Sequence, residues 1–341
     1  MISRRPEGMI TRRQFARSLA MAGAVGGVGL CPWVAAAELP PETTRLRLIR
    51  LQAICVAPEY VAEELLKAEG FTDVQYVRVE STAAKVKTLA AGEADITLFF
   101  AAPLVVQVDT GEPVVVLAGI HVGCLELFAT ERIRAIRDLK GGSVAVSAVG
   151  STEQIFLSSM LAYVGMDPRR DVRWVIHPAS TAMHLLADGK VDGFLALPPV
   201  SQELRARKIG HVIINSSVDR PWSQYFCCMV VGHREFVRKN PVATKRAVRA
   251  LLKAADLCAL EPERVARFIT DKGYVDSPDY ALQAMKDVPY DRWRTHDPAD
   301  TMRFYALRLH EVGMIKSSPQ KILAQGTDWR FLNELKKELK G

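Results

Sequence analysis

Three things are scarce in this 341-residue sequence: aromatics, at 7%, histidines, of which there are seven, and cysteines, of which there are six. No two histidines stand at His-x-x-x-His spacing, so the common local signature of a protein-bound metal is missing. With Cys31 in the amino-terminal segment, Cys55, Cys124, Cys227, Cys228 and Cys258 remain. An odd count without framework spacing argues against a disulfide scaffold even in an oxidising compartment. Cys227 and Cys228 are adjacent in a strand-like run, so they are expected on opposite faces, unable to bridge each other, and simply buried. Gly-x-Ser-x-Gly is absent around Ser151, which weakens a Ser-His-Asp hydrolase reading. The apolar stretch Ser18 to Leu30 is too short and too rich in glycine for a membrane span. Net charge is also thin: +7 in all, but residues 1–37 hold five Arg and one Glu, leaving 40 basic against 37 acidic residues. That excess is too small and scattered for a nucleic-acid footprint.

What is present starts with that amino terminus. Thr11-Arg12-Arg13-Gln14-Phe15-Ala16-Arg17 resembles the twin-arginine export signal, followed by a weakly apolar segment and Ala35-Ala36-Ala37. Residues 1–37 are therefore read as a cleaved signal, and the mature chain as free in the periplasm. Leu30 before Cys31 fits a lipoprotein cleavage site poorly, since a small residue is wanted there.

The stretch Asp138 to Phe156 organises the rest. Ser143 to Val149 reads as a buried strand, and Gly150-Ser151 turns it into a helix beginning near Thr152. Ser151 and Gln154 have capping-box spacing, and the remaining free amides at that helix start suit a small anion or a carbonyl oxygen. Ser-Thr recurs at Ser81-Thr82, after Val74 to Val79, and at Ser180-Thr181, after Val172 to Ile176. Each leads through a helix to a Gly turn and an Asp, at Leu89-Ala-Ala-Gly-Glu-Ala-Asp95 and Leu186-Ala-Asp-Gly-Lys-Val-Asp192. A strand-helix-Asp unit repeated only twice predicts two similar lobes with a cleft between them, because a solenoid needs at least three stacked repeats.

In chain order, strands are expected at Leu46 to Leu51, Val74 to Val79, Asp95 to Phe100 and Val114 to His121, with helices between them from Glu59, after Ser81 and near Pro103. The pattern restarts at Cys124 to Ala129 and closes with Gly193 to Leu197, a basic helix after Pro198-Pro199, and His211 to Asn215. Such alternation favours a mainly parallel sheet flanked by helices in each lobe. Ser216 to Ser223 reads as a crossing, Phe226 to Val231 as a further strand, and the chain from Asn240 as a helical tail packing back on the first lobe. The predicted partition is residues 43–122 with 224–341 as lobe I, 123–215 as lobe II, and 216–223 as the hinge crossing.

This layout resembles type II periplasmic binding proteins, and within them the solute-binding proteins of ABC importers of the nitrate, sulfonate and taurine type, which share a superfamily with thiamine-pyrimidine precursor proteins. The resemblance spans roughly residues 45–315. It rests on Ala57-Pro58-Glu59-Tyr60-Val61-Ala62, the two Asp95 and Asp192 units, Asp138-Leu-Lys-Gly141 with Ser151, and Phe236-Val-Arg-Lys-Asn-Pro241. It implies capture of a small solute by lobe closure and delivery to an inner-membrane permease with a cytoplasmic ATPase, by a monomer with no cofactor. Ser81 and Thr82 would face Ser151, Thr152, Ser180 and Thr181 across the cleft. Cys55, Phe99, Pro198, Trp222 and Tyr225 would grip the apolar part of the ligand. No arginine or lysine lies in the three Ser-Thr loops, which points to a monoanion or a polar organic solute. The rivals are an exported enzyme resembling the pyrimidine precursor synthase, of whose cysteine-rich segment Cys227-Cys228 is only a part, and a periplasmic ligand sensor.

Overall fold

The computed structural model describes residues 38–51 and 53–339. The export-signal reading of residues 1–37 lies outside them. Alternating apolar residues make β1 (Arg45–Arg50), and a 3-10 turn at Ile54–Val56 leads into two short helices, α1 (Ala57–Val61), with Pro58 in its first turn, and α2 (Glu63–Ala68). Next come β2 (Asp73–Arg78), α3 (Thr82–Ala90), β3 (Ile96–Phe100), α4 (Ala101–Asp109) and β4 (Val114–Val122). A second set follows: β5 (Glu126–Ala129), β6 (Ser143–Val146), α5 (Thr152–Tyr163), β7 (Arg173–Ile176), α6 (Ala179–Ala187), β8 (Gly193–Ala196), α7 (Val200–Arg207) and β9 (His211–Asn215). After β10 (Phe226–His233) the chain is helical: α8 (Arg234–Lys239), α9 (Pro241–Leu260), α10 (Pro262–Asp271), α11 (Pro278–Asp287), α12 (Pro298–Glu311), α13 (Pro319–Gly326) and α14 (Arg330–Glu338).

The strands form two groups. One contains the parallel pair β1-β2 and the sheet β3-β10-β4; the other is a five-stranded sheet in the order β7-β6-β8-β5-β9. In each group one strand runs antiparallel to its neighbours: β10 between β3 and β4, and β5 between β8 and β9. The rest of each group keeps the parallel sense of a β-α-β chain. The tail packs on the first group through α9, which lies on α1, α2 and β4, but it also reaches the second, with α12 on α5 and α11 on α7.

The repeat seen in the sequence has a structural use. Asp95 donates its N–H to the Arg47 carbonyl at 2.8 Å, and its carboxylate accepts the Arg47 N–H at 2.7 Å. Asp192 does the same with Ser143, at 2.8 Å in both directions. Each Asp thus pins the start of the strand beside it, and each is paired with an arginine, Arg47 or Arg132. Burial alone would raise the Asp192 carboxyl, but the Ser143 N–H and the Arg132 guanidinium outweigh it and hold the group below its usual value. A depressed carboxyl contributes stability that is present above the unfolded value, about 3.9, and is lost as pH falls through the folded one. Asp192→Asn should therefore cost about 1–3 kcal/mol at pH 7, and the gap to the unsubstituted protein should narrow as urea midpoints are taken from pH 5 towards pH 3. A gap independent of pH would mean that the charge carries none of the effect.

Candidate functional site

The carboxyl ends of β1, β3, β6 and β8 and the helix starts that follow them are where an open α/β sheet gathers ligands. Ser81 caps α3, its Oγ accepting the Ala84 N–H at 3.1 Å. Ser151 caps α5 in the same way through Gln154 at 3.3 Å. The expected reciprocal half of the box is displaced by one residue, because the Gln154 Oε1 accepts the Gly150 N–H at 2.6 Å instead of that of Ser151. β6 ends at Val146, and residues 147–150 form an exposed bend that lifts Gly150 and Thr152 towards α3.

Between these two helix starts lies a cavity of about 610 Å³. Thr82 and Lys87 of α3, Phe99 of β3 and Gln107 of α4 line it on one side, and Gly150 and Thr152 at the α5 start on the other. Its charges are one lysine and one glutamate, Lys87 and Glu112; the remaining polar lining is hydroxyl and amide, and no arginine contributes. With the amino end of the 12-residue α5 at one wall, this surface suits a small solute bearing at most one negative charge.

Of the residues expected from the sequence, Thr82, Phe99 and Thr152 meet in this cavity. Ser81 and Ser151 stand beside it with their hydroxyls engaged as caps. Ser180 and Thr181 do not join them. The helix start there is Pro178, whose carbonyl accepts the Ala182 N–H at 2.9 Å, so the ladder begins before Ser180 and leaves both residues exposed within the first turn. Pro198 is buried, and its neighbour Pro199 lines a separate cavity of about 320 Å³ with Ala53, Ile54 and Tyr274. Tyr225 stacks on Phe304 at 4.0 Å and opens onto a third cavity, of about 520 Å³, with Arg220, Arg292 and Asp297. Trp222 is buried edge to face with Tyr163, at 5.8 Å. Lys87, Gln107 and Gly150 were missed. For the first two the signal was available: Lys87 is four residues from Ala83, and Gln107 four from Pro103, so each shares a helix face with another lining residue.

Cys55 is not in the cavity lining. It is 1% exposed and belongs to a cluster with His121, Cys124, Cys227 and Cys228. The expectation that Cys227 and Cys228 point to opposite faces fails because β10 slips register there: Phe226 pairs with Val122 and Cys228 with His121, so Cys227 is an extra, bulged residue. Both thiols consequently reach the same cluster; all five cysteines of the described residues are free and buried. Hydrogen bonds from Cys124 and Cys228 draw the Cys55 thiol well below its ordinary value. Burial pushes the Cys227 thiol up, but hydrogen bonds from Cys124 and Cys228, with His121 nearby, bring it down to about 5. Burial pushes the Cys124 and Cys228 thiols well above their ordinary value.

Residues 39–270 match the model of the NMT1-like family. The sequence is 22% identical over 303 residues to the nitrate/nitrite binding protein NrtA of Nostoc sp., covering 80% of this chain and 68% of that protein. Among solved structures, the fold is similar to the periplasmic nitrate-binding protein NrtA from Synechocystis PCC 6803, with a TM-score of 0.72 and 16% identity over 89% of this chain and 90% of that one. It is also similar to the alkanesulfonate-binding protein SsuA from Xanthomonas axonopodis pv. citri, with a TM-score of 0.69 and 15% identity over 84% of this chain and 99% of that one. The architecture is that of two-lobed periplasmic binding proteins, and these relatives are solute-binding proteins, not enzymes.

Proposed function

The chain belongs to the NMT1-like family, and from that premise we propose that it is the periplasmic substrate-binding component of an ABC importer. It captures a small monoanionic or polar organic solute between its two bodies and delivers it to a membrane permease driven by a cytoplasmic ATPase. Residues 43–122 with 224–341 act as one lobe and residues 123–215 as the other, closing about the crossing at residues 216–223. The observation that carries this reading is the cavity shared by Thr82 and Phe99 of the first body with Gly150 and Thr152 of the second. A solute there touches both lobes and so favours the closed form over the open one. Nitrate and alkanesulfonates, the ligands in the names of the relatives above, are the first candidates. The hydroxyl and amide lining, with Lys87 offset by Glu112, fits a singly charged or neutral head better than a dianion.

A thermal-shift screen of the mature protein across nitrate, nitrite, alkanesulfonates, small carboxylates and aromatic acids tests the proposal. A true ligand at a hundred times its Kd adds about 2.7 kcal/mol of stability by mass action. One clear stabiliser whose shift is lost in the Ser151→Ala/Thr152→Ala double variant supports capture at the α5 start. A stabiliser that acts equally on that variant contradicts it.

A further inference from the structure

Outside the solute cavity, three metal-ligating side chains from distant parts of the chain converge in the interior. Cys55 comes from the 3-10 turn after β1, His121 from the end of β4 and Cys228 from the start of β10. Their ligand atoms lie within 4.8 Å of one another, and none of the three residues is more than 1% exposed. We propose that Cys55, His121 and Cys228 bind a single thiophilic dication, zinc by its chemistry.

The histidine is the telling member. Its Nδ1 lies 3.1 Å from the Val122 carbonyl, which fixes the proton on that nitrogen, and its buried Nε2 has no well-aligned hydrogen bond, only the Cys55 thiol beside it. A core histidine serving only packing normally has both nitrogens satisfied, since an unmatched buried polar atom costs about 1–3 kcal/mol. A bare lone pair facing sulfur ligands, with the other ring nitrogen donating to a carbonyl, is the tautomer that metal-bound histidines adopt. Buried free thiols by themselves would be unremarked small hydrophobes.

Charge and geometry favour zinc. Two thiolates and a neutral imidazole around a dication sum to zero, so the interior need supply no counter-ion; a monovalent ion would leave a buried negative charge. Zinc–sulfur and zinc–nitrogen bonds of about 2.3 and 2.0 Å put tetrahedral ligand atoms roughly 3.5–3.8 Å apart, so from a spread of 4.8 Å at most the trio contracts by no more than about 1.0–1.3 Å to close on the ion. On binding, two zinc–sulfur bonds and one zinc–nitrogen bond form, any proton still held by either thiol leaves to solvent, and no oxidant or reductant is needed.

The surroundings hold the ligands in place. Cys124 and Cys227 are 3.2 Å apart, sulfur to sulfur, and hydrogen-bond onward to Cys55 and Cys228. The Tyr290 hydroxyl donates towards the carbonyls of Ile54 and Cys55, 3.3 Å from each, and its ring stands edge to face with His121 at 5.2 Å. A route in is short: Ala53 and Ile54 line the 320 Å³ cavity, and Val122, next to His121, lines the 520 Å³ one. Local spacing could not announce this site, because its ligands are brought together only by strand pairing and by the turn after β1.

The inference is independent of which solute the cleft captures. The test uses the full chain, purified under reducing conditions, stripped with chelator and titrated with Co²⁺ as the spectroscopic probe. Sulfur-to-cobalt charge-transfer absorption should saturate at one equivalent, be displaced by Zn²⁺, and be lost in Cys55→Ser, His121→Gln and Cys228→Ser, while Cys258→Ser keeps it. Melting curves without metal identify any variant that fails to fold. Absence of the bands in the unsubstituted chain, or their survival in folded Cys228→Ser or His121→Gln, overturns the site.

Discussion

Lys85→Met should destabilise the protein by about 3–5 kcal/mol, because it strands a buried carboxylate. Lys85 Nζ lies 3.0 Å from Glu59 Oε2, with the two side chains 1% and 0% exposed. The same carboxylate also accepts the Thr97 hydroxyl at 2.7 Å and the Ile49 and Leu98 N–H groups at 3.2 and 3.4 Å. Ile49 belongs to β1 and Leu98 to β3, two strands held together at Arg47 and Asp95 but placed in separate sheets. Glu59 therefore fills the split between them, and Lys85 ties α3, which carries Thr82, to that joint. A urea midpoint series measures the loss. Glu59→Gln should not rescue it, since its amide would present a donor to N–H groups that need an acceptor. A loss below about 1 kcal/mol would show that water reaches the pair, as it does for surface salt bridges.

Thr152→Trp should abolish solute binding while leaving the fold intact. Thr152 is buried at the first position of α5 and lines the 610 Å³ cavity opposite Thr82. An indole there occupies the space the solute needs and blocks the amides at the helix start. The expected result is the disappearance of the ligand-dependent shift, worth about 2.7 kcal/mol at a hundredfold excess over Kd, with the ligand-free melting temperature within a few degrees of the original. The same substitution at exposed Thr181, outside this cavity, should leave the shift unchanged. Equal losses at both positions would move the binding site elsewhere.

Local signals carried most of the architecture. Alternation and Gly turns located β1, β2, β3 and β4, and Asn240-Pro241 marked where the helical tail begins, because these cues act within a few residues. The tail was legible as helix, but not its reach onto α5 and α7, which depends on packing between segments far apart in the chain. At the site, Ser151-Thr152 was readable from cap spacing and Ser81-Thr82 from the recurrence of Ser-Thr after a strand. Ser180-Thr181 copied the letters without the geometry, for Pro178 had already begun the helix. The thiol and imidazole cluster lay beyond reach for a different reason: a bulge at Cys227 breaks the alternation that any sequence reading of a strand assumes.

Hydrogen–deuterium exchange of the chain from residue 38, with and without the stabilising solute, tests the proposed capture between α3 and α5 most directly. The account predicts slower exchange in the same experiment at the α3 start, residues 82–86, and at the α5 start, residues 150–155, because one solute bridges both. Protection confined to one of them, or found instead around Arg220, Tyr225 and Arg292 at the 520 Å³ cavity, would contradict it.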